Sequence, residues 1–344
     1  MTFTIDRRAV EKLLIIKLRA VGDVLLSTIV TRNLRLAFPN AQIDYLVEQP
    51  SYDIVRTNPY VNGTLVYNPT SMSGLALIRL VRSRRYDLVI DLFGNPRTAL
   101  VTRLSGARYR AGFKFRGRAY AYNIKVRPRG GEVHNTQINL DAVEALGVPI
   151  QDRGLHFQFT GDDATYVYEF VARAFGGGKL IIGINSGGGW YTKRWGLDRF
   201  AALADEIAAR YDAGIVLLWG PGQLNDVGRI QARMRHESFI PPPTTLPQLG
   251  ALLRHCTLVV SNDSGPMHIA AAVGTPVVAI YGPTNPRLQG PYGEGHVVVR
   301  NEKLSCLGCN LTECPIGHPC MLELPVADVL NAVDLALQKN RIAS

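Results

Sequence analysis

The sequence predicts an α/β protein of two domains, each built on a parallel, doubly wound sheet. Three observations support this fold class. At 344 residues the chain is too long for a single hydrophobic core. Short apolar runs alternate with longer amphipathic runs, and the alternation begins again after a glycine triplet in the middle of the chain. Polar, glycine-rich turns follow the apolar runs in both halves, as they do at the carboxyl ends of strands in open α/β sheets.

The first half opens with the apolar run Leu-Leu-Ile-Ile at residues 13–16, which is typical of a strand buried on both faces. The segment 24–38 has the spacing of an amphipathic helix, and Pro39 and Asn40 end it. The same criteria give the remaining elements of this half. We expect further strands at 43–47, 64–67 and 88–91 and a second helix at 75–84.

The second half repeats this order. We expect strands at 180–184, 215–218, 258–260 and 277–280 and helices at 163–174, 197–211, 249–255 and 268–273. The triplet 176–178 follows the first of these helices, so we place the domain boundary there, with residues 1–175 as the first domain and 176–325 as the second. The last apolar helix has no strand of its own, and we expect residues 326–344 to pack back on the first domain.

The chain carries a net charge of +10, and the excess lies in the first half. Residues 1–175 contain 24 Lys and Arg against 15 Asp and Glu, whereas residues 176–344 contain 14 against 13. Between Arg79 and Arg129, 14 basic residues accompany only two acidic ones, and aromatic side chains lie among them. This pattern indicates an anionic partner, either nucleic acid or a phosphorylated surface such as a membrane glycolipid. A solvated face that only maintains solubility is the alternative.

No apolar run reaches the ~18 residues of a membrane-spanning helix. Residues 1–11 also lack the apolar core of a signal peptide. We therefore expect a cytoplasmic protein.

The most informative turn lies at residues 260–268, where Asn-Asp-Ser-Gly-Pro joins an apolar strand to a helix of small residues. A helix that opens directly after such a turn presents backbone N–H groups, a hydroxyl and a positive helix end to a ligand. These groups suit a phosphate. A well-capped corner is the alternative, because Asp and Ser are favoured caps and Pro is favoured in the first helical turn.

Two charged side chains also follow predicted strands. Asp23 comes after Gly22 at a strand-to-helix junction, where an ionised carboxylate can act as a general base or can simply cap the helix. Lys193 follows the glycine-rich turn 186–189, so its amine lies within reach of whatever that turn binds. For Lys193 a solvent-facing lysine is the alternative.

Together these motifs resemble those of glycosyltransferase family 9, which includes the ADP-heptose:lipopolysaccharide heptosyltransferases. The resemblance extends from about residue 13 to residue 333 and rests on 17–23, 185–195, 262–270, 281–284 and a cysteine-rich tail that looks closest to the heptosyltransferase II branch. It implies a GT-B fold, in which two Rossmann-like domains face a central cleft. It also implies inverting transfer of a heptose from ADP-heptose to the inner core of lipopolysaccharide.

The resemblance assigns roles to individual residues. Asp23 matches the general base of the family's Gly-Asp motif, and Lys193 matches the lysine that stabilises the diphosphate leaving group. The implied donor-binding residues are Ser186, Gly187, Gly188, Gln223, Asp263, Ser264, Gly265 and His268. Many members place an acidic residue near Gln223 to hold the ribose hydroxyls, and a glutamine there hydrogen-bonds a hydroxyl without charge assistance.

On this hypothesis the basic first domain binds an anionic glycolipid, and the protein lies peripherally at the inner face of the inner membrane. The acceptor-binding candidates are Arg108, Arg110, Lys114, Arg116 and Arg118. Two other functions stay open. One is a family 9 transferase that uses another nucleotide sugar on a different glycan, and the other is a nucleic-acid-binding protein that uses the Arg79–Arg129 patch. The leading hypothesis includes no nucleic acid partner.

The resemblance implies catalysis without a metal ion or other cofactor, and the sequence has no Asp-x-Asp motif. The late cysteines Cys306, Cys309, Cys314 and Cys320 fall within 15 residues. One interpretation is a small structural zinc site. The other is a reduced, metal-free loop, because the spacing of the second pair is loose for a zinc ribbon. We expect the remaining cysteine, Cys256, in the core.

Overall fold

The computed structural model describes residues 5–131 and 133–342, and the chain folds as two units, Met1–Gln158 and Phe159–Ser344. Each unit contains one six-stranded sheet whose paired strands are all parallel. The two predicted parallel, doubly wound sheets are therefore confirmed. The outer ends of the predicted domains, residues 1–4 and 343–344, lie outside the described residues.

The sheet of the first unit has the strand order β3-β2-β1-β4-β5-β6. Its strands are Lys12–Ile16 (β1), Gln42–Glu48 (β2), Gly63–Tyr67 (β3), Leu88–Asp91 (β4), Tyr109–Phe113 (β5) and Ile124–Val126 (β6). The helices are Val21–Ser27 (α1), Ile29–Ala37 (α2), Tyr52–Val55 (α3), Gly74–Ser83 (α4), Pro96–Leu104 (α5) and Asn135–Glu144 (α6). The apolar run of β1 lies at the centre, and its side chains from Leu13 to Ile16 are fully buried, as expected of a strand covered on both faces.

The predicted helix at 24–38 is two helices, α1 and α2, which meet at Thr28. The Thr28 hydroxyl donates to the carbonyl of Leu25 at 2.7 Å and accepts the backbone N–H of His156 at 2.9 Å. A threonine hydroxyl that bonds back to the preceding turn competes with the helical hydrogen bonds and bends the chain. The break makes α1 a short separate helix, and α1 carries Asp23.

The sheet of the second unit has the strand order β12-β11-β10-β7-β8-β9. Counted from its own first strand, it repeats the order of the first sheet. Its strands are Ile181–Asn185 (β7), Gly214–Leu218 (β8), Ser238–Phe239 (β9), Leu258–Asn262 (β10), Val277–Ile280 (β11) and Val297–Val299 (β12). The helices are Gly161–Phe175 (α7), Leu197–Tyr211 (α8), Leu224–Gln231 (α9), Leu246–His255 (α10), Gly265–Ala272 (α11), Pro286–Gln289 (α12), Pro319–Leu322 (α13) and Val326–Ile342 (α14).

The boundary between the units lies before α7, whereas the sequence analysis placed it after this helix. Thr160 caps α7, and Gly176, with a φ of 62°, ends it in the left-handed conformation that favours glycine. α7 packs against α10. The ring of Phe175 covers Gly214 so closely that a Cβ there would lie 2.4 Å from the ring. The glycine triplet therefore ends a helix of the second unit and does not separate the two units.

The prediction that residues 326–344 pack on the first domain is wrong for the described part of that segment. α14 packs on β12, β11 and α8 of the second unit, and Val329, Val333 and Ala336 join the core of that unit. Asp334 also pairs with Arg210 of α8 at 2.8 Å. An apolar helical stripe needs an uncovered face, and the second sheet offers one. Among the described residues, neither α14 nor any other helix combines the length and the apolar character needed to cross a membrane.

Candidate functional site

The predicted motifs lie at the carboxyl edges of the two sheets, and several of them lie at the point where the strand order reverses. In the first unit this point lies between β1 and β4, which pair Ile16 with Asp91, and in the second it lies between β7 and β10, which pair Asn185 with Ser261. The connections on either side of such a point leave in opposite directions and open a crevice at the carboxyl edge of the sheet. Each unit therefore has its own candidate binding edge.

Asp23 lies at the edge of the first unit, as the third residue of α1. Its Oδ2 accepts the backbone N–H of Ala20 at 3.3 Å. The carboxylate therefore caps the first turn of α1, which is the second of the two roles that the sequence allowed. The residue is half-buried. Capping leaves the second carboxylate oxygen available, and the arrangement therefore permits a general base at this position.

Two charged residues at this edge, the half-buried Lys17 and the fully buried Asp91, were not among the predicted site residues. Lys17 Nζ donates to the carbonyl of Leu92 at 3.2 Å. Burial lowers the pKa of Lys17, and the charges of Asp23 and Asp91 oppose this shift. Asp91 accepts two backbone N–H groups, at 2.8 and 3.1 Å, and the hydroxyl of Tyr122 at 2.7 Å, while burial raises its pKa. The sequence pattern that could have indicated both residues is a charged side chain at the end of an apolar strand.

Three of the five acceptor-binding candidates follow β5 at the same carboxyl edge. These are Lys114, Arg116 and Arg118. Arg118 donates from Nη1 to the carbonyl of Gly94 at 2.7 Å, and its guanidinium lies 5.4 Å from the ring centre of Phe115. Since Gly94 follows β4, Arg118 ties the loop after β5 to the loop that begins at Asp91. A cation is thereby held at the edge that carries Asp23.

The other two candidates, Arg108 and Arg110, do not lie at this edge. Arg108 precedes β5, and Arg110 pairs with Val89 in the first half of the strand. The guanidinium of Arg110 donates to the carbonyls of Ala107 at 2.6 Å and Ala121 at 3.1 Å. The structure therefore corrects the predicted set: Arg108 and Arg110 belong to the amino-terminal side of β5, and Arg110 binds the backbone of its own unit.

The edge of the second unit is built from buried amides and hydroxyls. Asn185 Nδ2 donates to Ser261 Oγ at 2.7 Å and to Ser264 Oγ at 2.8 Å. Asn262 Nδ2 donates to the carbonyl of Ser186 at 2.8 Å. These bonds join the turn after β7 to the turn after β10, and they bring the predicted donor-binding residues Ser186 and Ser264 together.

Lys193 and Asp263 form an ion pair in this network, with Lys193 Nζ 2.7 Å from Asp263 Oδ2. The same oxygen accepts the hydroxyl of Thr284 at 2.7 Å. The ammonium group also lies 4.5 Å from the ring centre of Trp190, and the Lys193 side chain is only 14% exposed. Burial, together with the charge of Asp263, raises the pKa of Tyr281 well above its usual value. The solvent-facing alternative for Lys193 is therefore wrong, and Thr284 is a partner of Asp263 that no sequence pattern indicated.

The remaining donor-binding candidates border the same edge. Gln223 Oε1 accepts the N–H of Gly220 at 3.0 Å, and a Cβ at Gly187 would lie 2.6 Å from Gln223 Nε2. Glycine at this position therefore lets the amide of Gln223 approach the turn. Gly188 lies in the turn after β7, and Gly265 and His268 lie in the first turn of α11.

The cysteine segment 306–320 packs against two turns of this edge. Leu311 accepts the hydroxyl of Thr192 at 2.9 Å, and the N–H of Gly308 donates to the carbonyl of Gly282 at 3.0 Å. Burial raises the pKa of Cys320 to about 11, and the nearby thiols act in the same direction. All the cysteines are free. In the part of the chain that the structure describes, no group of three or more His, Cys, Asp or Glu side chains is placed to hold a metal ion.

Comparison with known proteins adds independent findings. The family model described as Glycosyltransferase family 9 (heptosyltransferase) matches residues 75–319. Lipopolysaccharide heptosyltransferase 3 of Escherichia coli is 28% identical over 343 residues, with 92% of this chain and 96% of the relative covered. The crystal structure of the glycosyl transferase family 9 protein from Veillonella parvula DSM 2008 gives a TM-score of 0.83 at 25% identity and covers 96% of this chain and 97% of that one. The structure of E. coli ADP-heptose lps heptosyltransferase II gives a TM-score of 0.77 at 23% identity, covering 96% and 99%.

Proposed function

Because the chain belongs to glycosyltransferase family 9, and is therefore a glycosyltransferase, we propose that it transfers a heptose from ADP-heptose to the inner core of a lipopolysaccharide with inversion at the anomeric carbon. The relative that matches over nearly its whole length is a lipopolysaccharide heptosyltransferase. The observation that carries the proposal is the Lys193–Asp263 pair within the polar edge of the second unit. This edge combines a cation with the turn amides that a nucleoside diphosphate needs.

On the donor side, negative charge develops on the diphosphate as its bond to the sugar breaks. Lys193 stabilises that charge, and the backbone N–H groups of Gly187, Ser264 and Gly265 add fixed dipoles. In the described structure Lys193 is paired with Asp263, so the diphosphate competes with this carboxylate for the ammonium group. Asp263 is then available to the hydroxyls of the sugar. Gln223 hydrogen-bonds the ribose.

On the acceptor side, Asp23 removes the proton from the attacking hydroxyl of the glycolipid. The hydroxyl oxygen forms its bond to the anomeric carbon as the bond to ADP breaks on the opposite face, which inverts the configuration. In its protonated form Lys17 interacts with the charge of Asp23. Lys114, Arg116 and Arg118 bind the anionic groups of the acceptor.

Lys193 and the turn amides supply the positive charge that a divalent ion would otherwise provide, so the proposed reaction needs no cofactor. We take the four late cysteines as a reduced loop that supports the donor turns, in preference to a structural zinc site. Elemental analysis of the purified protein that finds one zinc per chain would reverse this choice. The protein acts in the cytoplasm, peripherally at the inner membrane face.

Thermal unfolding with a panel of nucleotide sugars tests the donor. A ligand that binds only the folded state raises the midpoint, so ADP-heptose should raise it more than UDP-, GDP- or other ADP-sugars do. A larger shift with another sugar would favour the alternative family 9 transferase. Absence of any shift, together with tight oligonucleotide binding, would favour the nucleic-acid alternative.

Calorimetry with ADP tests the role of Lys193. Loss of a charge-assisted hydrogen bond weakens binding by about tenfold or more, so Lys193→Ala should lose at least this much affinity. Lys179→Ala is the matched control, because Lys179 pairs with the exposed Asp212 near the amino end of the sheet. Equal ADP affinity in the two variants would remove Lys193 from the donor site.

A further inference from the structure

We propose that the outer face of α4 and α5 is the surface by which the protein docks on an anionic lipid bilayer. We define the α4–α5 face by six exposed residues: Leu75, Arg79, Arg82, Arg97, Leu100 and Leu104. The inference rests on the proposed function only in that a glycolipid acceptor places the enzyme at a membrane. Lipid binding itself is measured without any transfer reaction.

The two helices lie side by side on one face of the first sheet. They pack against each other, and Arg82 Nη1 of α4 donates to the carbonyl of Leu104 at the end of α5, at 3.3 Å. Their inner side chains Leu77, Val81 and Val101 are fully or almost fully buried in a common core cluster. The opposite sides of both helices therefore point away from the sheet together.

Leucine side chains are exposed on the outer sides of both α4 and α5. Leu75 is 66% exposed, Leu100 is 42% exposed and Leu104 is 37% exposed. Isolated exposed leucines are ordinary on protein surfaces, but here three lie on two adjacent helices of one unit. The second unit exposes Leu224, Leu322 and Leu335 on three separate helices, and it exposes Leu311 in a loop.

The same outer sides carry only positive charge. On α4, Arg79 and Arg82 follow Leu75 at helical spacings of four and seven residues, and on α5, Arg97 precedes Leu100 by three. Neither helix contains an aspartate or a glutamate. Two further exposed arginines, Arg84 and Arg85, follow α4 directly, so the positive charge continues beyond its end.

Exposed aliphatic side chains between arginines fit a bilayer interface better than a nucleic acid. The guanidinium groups bind lipid phosphates, and the leucines enter the boundary between headgroups and acyl chains. A nucleic acid would meet the arginines but offers leucine no acyl phase.

The face also extends toward the edge that carries Asp23. Phe115 and Tyr120, which are 37% and 58% exposed, lie in the loop after β5, and that loop reaches Gly94 just before α5 begins. A bilayer on the α4–α5 face would thus lie next to Lys114, Arg116 and Arg118. A membrane-anchored acceptor would present its anionic headgroup to them.

Co-sedimentation with vesicles tests the proposal directly. The full-length protein should bind vesicles of phosphatidylcholine mixed with phosphatidylglycerol and should bind pure phosphatidylcholine much more weakly. Each basic residue near an anionic surface contributes about fivefold in partitioning, so the pair Arg79→Gln and Arg97→Gln should lose about 25-fold. Leu75→Gln with Leu100→Gln should lose affinity to a similar extent, about fivefold per partly buried leucine.

The control pair is Arg229→Gln with Leu335→Gln, because both residues are exposed on helices of the second unit. It should bind vesicles like the unaltered protein. Wild-type vesicle binding by both face pairs, or equal loss in the control pair, would overturn the proposal. So would oligonucleotide binding that exceeds vesicle binding and is lost with the two arginines.

Turnover with a delipidated, water-soluble core oligosaccharide separates this inference from the proposed function. The face variants should keep the turnover of the unaltered protein on this acceptor while losing vesicle binding. If the unaltered protein shows no heptosyl transfer yet binds vesicles through the face, the proposed function fails and the docking surface stands. If transfer proceeds and vesicle binding ignores the face, only the docking surface fails.

Discussion

The two units share one strand order, and each has candidate site residues at the point where that order reverses. At the edge of the first unit, the half-buried Lys17 interacts with the charges of Asp23 and of the buried Asp91. At the edge of the second unit, amides and hydroxyls join two turns, and Lys193 pairs with Asp263 at 2.7 Å. In open α/β sheets the topology sets the position of the crevice, and the side chains of the surrounding turns set what that crevice can bind.

The comparison also shows how each edge deals with buried charge. In the first unit burial lowers the pKa of Lys17 and raises the pKa of Asp91, so both are displaced toward their neutral forms. In the second unit the charges meet directly and Thr284 supports the carboxylate. The first edge thus carries charged groups whose ionised forms burial opposes, whereas the second carries an ion pair with a hydroxyl partner.

If the first edge carries the base and the second binds the donor, Asp23→Asn should lower turnover without changing donor binding. Turnover should fall by about 10²–10⁴, the usual contribution of a positioned base, because an amide cannot take up the proton. ADP affinity by calorimetry should stay unchanged. The side-chain carbonyl of Asn can still accept the N–H of Ala20, so the fold should persist. Asp53→Asn on α3 is the control, and wild-type turnover in Asp23→Asn would show that another group is the base.

A smaller effect should come from the residue that supports Asp263. Thr284→Val removes the hydroxyl at 2.7 Å from Asp263 Oδ2 with little change in shape. Loss of one hydrogen bond is worth about 1 kcal/mol, so kcat/KM for the donor should fall by about fivefold while the acceptor KM stays the same.

Thr275→Val is the control for Thr284→Val. Thr275 is also buried in the second unit, but its hydroxyl donates to the carbonyl of Leu253 at 2.7 Å, within the helical layer. This variant should lose stability and keep its donor kinetics. The same donor kinetics in both variants would show that Thr284 does not position Asp263.

The smallest expected effect is a pH dependence of stability that arises from buried thiols of the second unit. All five cysteines belong to the second unit, where burial raises the pKa of Cys320 to about 11 and that of Cys256 to about 12. Both pKa values exceed the ordinary thiol pKa of 9.0, so these thiols lose their protons at a higher pH in the folded state than in the unfolded state. Their stabilisation is complete below about pH 9 and is lost as the pH rises toward the folded values.

Denaturant unfolding at a series of pH values measures this loss. Cys320→Ala should lower the slope of stability against pH between about 9 and 11. Cys306→Ala, at an exposed thiol, is the control and should leave the slope unchanged. An identical slope in Cys320→Ala and the unaltered protein would contradict the assignment.

Much of the fold could be predicted from the sequence because its central strands are buried on both faces. β1, β4, β8 and β11 are short continuous apolar runs, and this pattern requires no knowledge of neighbours. β5 was not predicted, because Arg110 and Gly112 interrupt its apolar run. Gly112 is needed there, since a Cβ would lie 2.4 Å from the ring of Tyr122, which in turn binds Asp91.

By itself the sequence determined the polar turns and the order of the elements that carry them, since caps, glycines and apolar periodicity act over a few neighbouring residues. Only the tertiary structure decided that Lys17 lies beside Asp23, that Thr284 supports Asp263, that Arg108 and Arg110 lie away from the edge, and that α14 covers its own sheet. Each of these depends on how strands and helices pack in three dimensions, which the pattern of one short segment does not specify. A local pattern shows that a side chain is apolar or charged, but the three-dimensional packing selects its partner.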